Sequence, residues 1–286
     1  TYREGVRRFA EAIYGRVRET AGKRFFLDKT PRYTMIVDEL YRLFPAAKYV
    51  LLLRNPLAIL NSELNTYVKG DWPVLAEFRP DLLSAPARLV DARQLLSDAA
   101  FEIRYETLVS EPEQSIEALC GFLGVRFQKE MLDYADTPAP RGKMNDPVGI
   151  HRHTRPSTES LEQWKAMADD PQFRHFALSY IDAVGDSTLA ALGYDPAELR
   201  RSMSGAKASG RQSRIYPWTL AITPRRSWSL RQQLQHAYLG EAQNGSRVRG
   251  IIRASQVVFG RIFSGAKRMT SSSSGRNESS PAEGRR

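Results

Sequence analysis

Between residues 25 and 125 the chain repeats one pattern: a short unbroken apolar run stops at a charged or polar residue, and apolar residues at helical spacing follow it. The clearest case is Tyr49-Val50-Leu51-Leu52-Leu53, which ends at Arg54. An apolar run of this length without alternation predicts a parallel strand covered on both faces. Pro56 presets the backbone for a first helical turn, and Leu57, Leu60 and Leu64 recur at helical spacing with Ser62 among them, so a helix follows. Upstream, FFLDKTPRY (residues 25–33) predicts a second strand that ends in Asp28, Lys29, Thr30 and Pro31, with helical positions Ile36, Leu40, Leu43 and Phe44 behind it. Downstream, residues 101–125 predict a third strand, a loop in which Ser110 precedes Glu113 at capping-box spacing, and a helix with Ile116, Leu119, Phe122 and Leu123 inward. Strands alternating with helices predict an α/β fold, a parallel central sheet flanked by helices. In open sheets of this kind ligands bind at the carboxyl ends of the strands.

That places the chemistry at Arg54. Helix-terminal amides and the helix dipole favour an anion there, and a guanidinium grips phosphate bidentately. The alternative is an ordinary strand-to-helix turn whose arginine pairs with a surface carboxylate.

The order DKTPRY, helix, FPAAKYVLLLRNPLAILNS, then IRYETLVSEPEQSIEALCGFLG resembles the bacterial branch of the sulfotransferases that use 3′-phosphoadenosine 5′-phosphosulfate. The resemblance runs from about residue 20 to residue 195. It implies a P-loop NTPase-like sulfotransferase fold, with Arg54 and Ser62 binding the donor's 3′-phosphate, Asp28 and Lys29 as the acid and cation before Thr-Pro, and Tyr105 near the adenine. Such families open with a strand and a basic, Gly/Ser/Thr-rich loop that wraps the 5′-phosphosulfate. No such loop precedes Asp28 in residues 1–27, and Gly260 to Lys267 has one residue too many before its lysine to be a P-loop. The expectation is therefore an N-terminally incomplete domain, a fragment with its first strand and 5′ loop missing. TYREGVRRFAEAIYGRVRE then becomes an interior helix with Val6, Phe9, Ala10, Ile13 and Val17 on one face, and its three glutamates exclude a targeting peptide.

Composition divides the chain. Residues 200–286 hold 17 Lys and Arg against 3 Asp and Glu, a balance of +14, whereas residues 1–199 hold 25 against 29. The net charge of +10 therefore belongs to the tail. Residues 1–199 are expected to form the sulfotransferase-like domain and residues 200–286 a basic tail. Within the tail, SMSGAKASGRQS and MTSSSSGRNESSPAEGRR are too polar to offset their ordering entropy, so disorder is expected. Residues 247–263 interleave Ile251, Val258 and Ile262 with arginines, and three readings stand: a helix on an anionic membrane or polyanion, a helix docked on the body, or an unstructured arginine-rich tail. Charge alone is weak support for nucleic acid, and that partner is not expected. No stretch approaches a transmembrane helix in length, which leaves a cytoplasmic protein, or one peripheral at a membrane through its tail. Cys120, the single cysteine, falls between core-facing positions and is expected to be a buried thiol.

Residues 142–164 are expected to be a loop followed by a helix from Ser157 or Thr158. In sulfotransferases a loop at this place closes over the donor, so Lys143, Arg152 and Arg155 become candidate phosphate contacts; solvated loop charge is the competing reading. His151 and His153 lack a third ligand at useful spacing, so no metal is expected.

The implied reaction moves a sulfuryl group to a hydroxyl or amine of a carbohydrate, lipid or small molecule, and the fragment alone is expected to show little or no transfer while retaining nucleotide affinity. Asp28, partly desolvated and raised toward neutrality, is the expected proton acceptor, and Lys29 stabilises charge on the leaving oxygen. A surface ion pair between the two is the alternative. A non-catalytic relative that binds a nucleotide or a partner stays open beside the enzyme, while a nucleotide kinase would need the missing lysine loop. Acceptor choice is expected to lie in variable loops such as residues 66–86.

Overall fold

The computed structural model describes residues 1–133, 153–204, 215–243 and 249–257. The chain divides into two compact units, Thr1–Ala208 and Ser209–Arg286. The sequence pattern ends its first domain at residue 199, but Leu199 and Met203 are both buried and carry the packed body further.

In the first unit the elements run α1 (Tyr2–Thr20), α2 (Val37–Leu43), β1 (Tyr49–Leu53), α3 (Pro56–Glu63), α4 (Ala85–Leu96), β2 (Ala100–Arg104), α5 (Tyr105–Ser110), α6 (Pro112–Leu123), α7 (Pro171–Val184), α8 (Asp186–Ala191) and α9 (Pro196–Ser202). β1 and β2 pair in parallel, Leu51 opposite Glu102 and Leu53 opposite Arg104. Both strands therefore end on the same edge, and Arg54 emerges beside Tyr105. The α/β class and the parallel pairing stand as the sequence predicts.

Three local expectations are corrected. Residues 25–30 form no strand, because no strand of the described residues pairs with them. β1 is covered on one face only: Leu51 and Leu53 are buried, whereas Val50 and Leu52 are 42% and 53% exposed. Leu51 packs with Ala92 and Leu96 of α4. Helix α1 forms, capped by the Thr1 hydroxyl, yet buries no residue; Phe9 is 69% exposed. What holds α1 lies at the surface: Arg3 bonds Glu39 of α2 through two 2.8 Å contacts, and Tyr14 stacks on Phe26 at 4.2 Å.

Helix starts also differ from the pattern. Ser110 ends α5 rather than capping α6, which begins at Pro112, a residue suited to a first turn because its missing N–H is not needed there. Ser157 accepts from the Glu159 amide in a tight turn, and the long helix waits until Asp170 caps α7.

The main core lies around α3. Leu57, Leu60 and Leu64 are buried there, as are Leu75, Leu82, Met167, Phe176, Tyr180 and Ile181, with Trp72 set edge-on to Phe173 and Phe176. Each such aliphatic side chain contributes about 1.5–3 kcal/mol on burial. Residues 66–86, expected to be variable loops, are instead packed helical turns whose Leu75 and Leu82 have no exposed surface. Cys120 is buried, as its helix position predicts.

The second unit contains α10 (Trp218–Ala221), α11 (Leu230–Gln243) and α12 (residues 249–257). Tyr216, Trp218, Leu220, Trp228 and Leu239 are buried there. The Tyr216 hydroxyl lies 3.0 Å from His236 Nδ1, and the Trp228 indole donates to the Thr223 carbonyl at 2.7 Å. These aromatic residues give the basic segment a packed part that net charge does not reveal. The low-complexity stretches lie outside the described residues from residue 205 in the first and throughout the second, and the segment 247–263 is helical where it is described. No helix of the described residues is long and apolar enough to cross a membrane.

Candidate functional site

The edge where β1 and β2 end carries a connected set of side chains. Arg54 places its guanidinium carbon 4.4 Å from the centre of the Tyr105 ring, and the Tyr105 hydroxyl lies 2.9 Å from Ser160 Oγ. Arg54 Nε is buried without a hydrogen-bond partner. A buried donor left unmade costs about 1–3 kcal/mol, so the group is ready for an acceptor that the described residues do not supply.

Next to it, Asn55 Oδ1 accepts from the amides of Leu57 and Ala58 at 2.9 and 3.4 Å, while the Asn55 amide donates to Glu106 Oε1 at 2.6 Å. These amides at the start of α3 are thus taken by the protein's own groups. An anion here is left to the guanidinium, which corrects the expectation that helix amides would hold it. Behind this corner Arg104 donates to the Leu192 carbonyl at 2.6 Å and lies over the Tyr194 ring. Gly193 permits that approach: its φ is +81°, and a Cβ there would stand 2.3 Å from Arg104 Nη2.

Asp28 sits in a ring of hydroxyls. Oδ2 accepts from Tyr14 at 2.8 Å and Tyr33 at 2.6 Å, and Oδ1 accepts from Thr30 at 3.1 Å. Partial burial pushes the carboxyl up, but the bonds from Tyr33, Tyr14 and Thr30 outweigh it and hold the pKa below the usual carboxylate range. The expected rise toward neutrality is therefore corrected: desolvation is present and is overcome by donors to the charged form. Lys29 makes no ion pair with Asp28, so the surface salt bridge weighed for this pair does not form.

Arg32 ties this loop to the core. Its Nε and Nη2 donate to the Asp81 carboxylate at 2.8–3.1 Å, and Nη2 also reaches the Glu77 carbonyl at 2.9 Å. Glu63, at the end of α3, feels the charges of both Asp81 and Arg32, and its Oε2 is buried without a partner. Burial, with Asp81 beside it, pushes the Glu63 carboxyl up from its ordinary 4.5 to about 7, against the pull of Arg32. A carboxyl raised in the folded state contributes stability that is complete below 4.5 and is lost as pH rises through about 7. Glu63→Gln, similar in shape and always neutral, is expected to remove this loss. Urea unfolding at a series of pH values checks it; parallel stability profiles for the two proteins would show that another group carries the dependence.

The remaining predicted residues are not all gathered here. Ser62 stands half-buried on α3, and no hydrogen bond joins it to Arg54. Arg155 pairs with Asp133 at 3.6 Å and lines an open groove of about 660 Å³ with Glu111, Glu113, Glu117 and Lys129. Three glutamates disfavour a phosphate in that groove. Lys143, Arg152 and His151 lie outside the described residues. His153 lies 3.8 Å from Glu159, and among the described residues no three His, Cys, Asp or Glu side chains gather as metal ligands. The sequence pattern missed Ser160, Glu106 and Tyr14, since each acts through a contact between residues far apart in the chain.

Comparison with known proteins bears on this segment. A family model described as "Sulfotransferase family" matches residues 3–129, which include Asp28, Arg54, Ser62 and Tyr105. Nodulation protein NoeE of Sinorhizobium fredii is 29% identical over 214 residues, covering 65% of this chain and 48% of that protein. The omega-hydroxy-beta-dihydromenaquinone-9 sulfotransferase Stf3 of Mycobacterium tuberculosis is 25% identical over 45% of this chain and 37% of its own length. The chain thus spans about half or less of these two relatives. A solved sulfotransferase domain from the curacin biosynthetic pathway superposes with a TM-score of 0.52 at 22% identity, over 65% of this chain and 68% of that one, and shows the same fold.

Proposed function

We propose, for a chain whose residues 3–129 match the sulfotransferase family model, that it is a sulfotransferase and transfers a sulfuryl group from 3′-phosphoadenosine 5′-phosphosulfate to an acceptor hydroxyl or amine. The observation that carries this reading is Arg54: it follows β1 directly, stacks on Tyr105 and keeps a buried donor without a partner among the described residues. A 3′-phosphate satisfies that donor bidentately, and Ser62 adds a hydroxyl from the same strand-helix unit.

In the transfer the acceptor oxygen forms a bond to sulfur while the bridging S–O bond breaks. The electron pair leaves with adenosine 3′,5′-bisphosphate, and the acceptor proton goes to Asp28. An oxygen that gains a sulfuryl group becomes strongly acidic as the bond forms, so even a carboxylate of depressed pKa takes the proton. The hydroxyl ring around Asp28 is also the environment an incoming hydroxyl would join. Lys29 stabilises the charge on the leaving oxygen. Stf3 is named for a hydroxylated quinone lipid, which favours a hydroxyl acceptor over an amine.

A second reading, a nucleotide-binding relative without turnover, is favoured by one observation: three internal hydroxyls already occupy Asp28. Calorimetry with adenosine 3′,5′-bisphosphate and with AMP tests the donor site. The bisphosphate is expected to bind at least about tenfold tighter, since a charged hydrogen-bonded phosphate is worth about 1.5–3 kcal/mol. Equal affinities would remove the 3′-phosphate site, and donor binding without transfer to any acceptor would leave the second reading standing.

A further inference from the structure

Helix α12 meets α11 at a glycine. Gly250 is buried, and a Cβ placed on it would stand 2.7 Å from the Tyr238 carbonyl oxygen and 3.0 Å from its ring. This contact sets which side of α12 faces inward. The side chains beside it then point away: Ile251 is 63% exposed and Ile252 52%. Arg249 and Arg253, also exposed, flank the pair. Elsewhere in the same unit Arg225, Arg226 and Arg231 are exposed, and its residues 209–286 carry 14 Lys and Arg against 3 Asp and Glu. A docked helix that keeps two adjacent branched aliphatics in water, between arginines, combines the two attractions of a surface-seeking helix: apolar insertion and attraction to negative charge.

We propose that α12 is an interfacial docking element for an anionic lipid bilayer, with Ile251 and Ile252 inserted at headgroup depth and Arg249 and Arg253 facing lipid phosphates. A soluble polyanion would use the arginines and leave the isoleucines in water; a bilayer uses both. The inference stands on α12 and the charge of its unit alone and is independent of the sulfuryl-transfer reading.

The test uses the full chain and vesicles of phosphatidylcholine, alone or mixed with phosphatidylglycerol, in co-sedimentation. Binding is expected to be at least about tenfold stronger to the mixed vesicles and to weaken with salt. Ile251→Ser with Ile252→Ser is expected to lower it about tenfold or more at every salt concentration, whereas Arg249→Gln with Arg253→Gln lowers it mainly at low salt. Should the serine variant lose helix content, Ile251→Cys carrying an environment-sensitive dye gives an independent readout, since the one native thiol, Cys120, is buried. Its emission is expected to shift to the blue on the mixed vesicles. Equal binding to neutral and anionic vesicles, undiminished binding by the serine variant, or an unshifted dye on bound protein would overturn the proposal. So would binding to a soluble sulfated polysaccharide with no binding to either vesicle.

Discussion

In an N-terminally extended form of the protein, Asp28→Asn is expected to lower kcat by about 10²-fold or more while the affinity for adenosine 3′,5′-bisphosphate changes little. The substitution suits the site. With its amide flipped, the asparagine oxygen keeps the bonds from Tyr14 and Tyr33, and its NH2 faces Thr30, whose hydroxyl also accepts. The fold around the loop is retained and the proton acceptor is lost. Because the hydroxyls hold Asp28 below the usual carboxylate range, it is ionised throughout the neutral range, and any acid limb it causes in kcat lies below that of an ordinary aspartate. Turnover that survives the substitution would sink Asp28 as the base. A loss of donor affinity equal to the loss of rate would make it an organiser of the Lys29 loop instead.

Arg54→Ala is expected to weaken adenosine 3′,5′-bisphosphate binding by about 1.5–3 kcal/mol, roughly tenfold to 150-fold. Two contributions disappear together: the unpartnered buried donor and the cation held over Tyr105. Arg54→Lys keeps the charge without the planar fork or the stacking, so it is expected to recover only part of the affinity. Thermal unfolding provides the control. Removing Arg54 relieves the cost of a buried donor with no partner among the described residues and loses the contact with the Tyr105 ring, two effects of opposite sign, so a small change in stability beside weakened binding reports the site rather than the fold. Unchanged affinity by calorimetry would sink the assignment.

The local pattern was enough for several features. Five apolar residues ending at Arg54, with Pro56 behind them, specify β1, its end and the start of α3, because strand length, charge and the first helical turn are written in neighbouring residues. The same holds for β2, for α1 as a helix, for the burial of Cys120 and for the separation of a basic segment from an acidic body. Periodicity could not say what lies opposite each face. It predicts burial for Phe9 and Leu52, yet both are exposed, since burial needs a partner layer and not only an apolar stripe. Nor does it say that residues 25–30 lack a ladder partner, or that residues 66–86 are packed around Leu75 and Leu82.

The site divides in the same way. Arg54 and Tyr105 are legible as residue types at strand ends, and Asp28 as an acid that follows a short apolar run. That the acid is held ionised by Tyr14, Tyr33 and Thr30 rather than raised by burial is a tertiary outcome, as is the clamp of Arg32 on Asp81 and the raised carboxyl of Glu63. A residue's chemistry travels with its side chain, but its pKa and its reach depend on which distant groups the fold brings within hydrogen-bonding distance, and only the tertiary structure decides that.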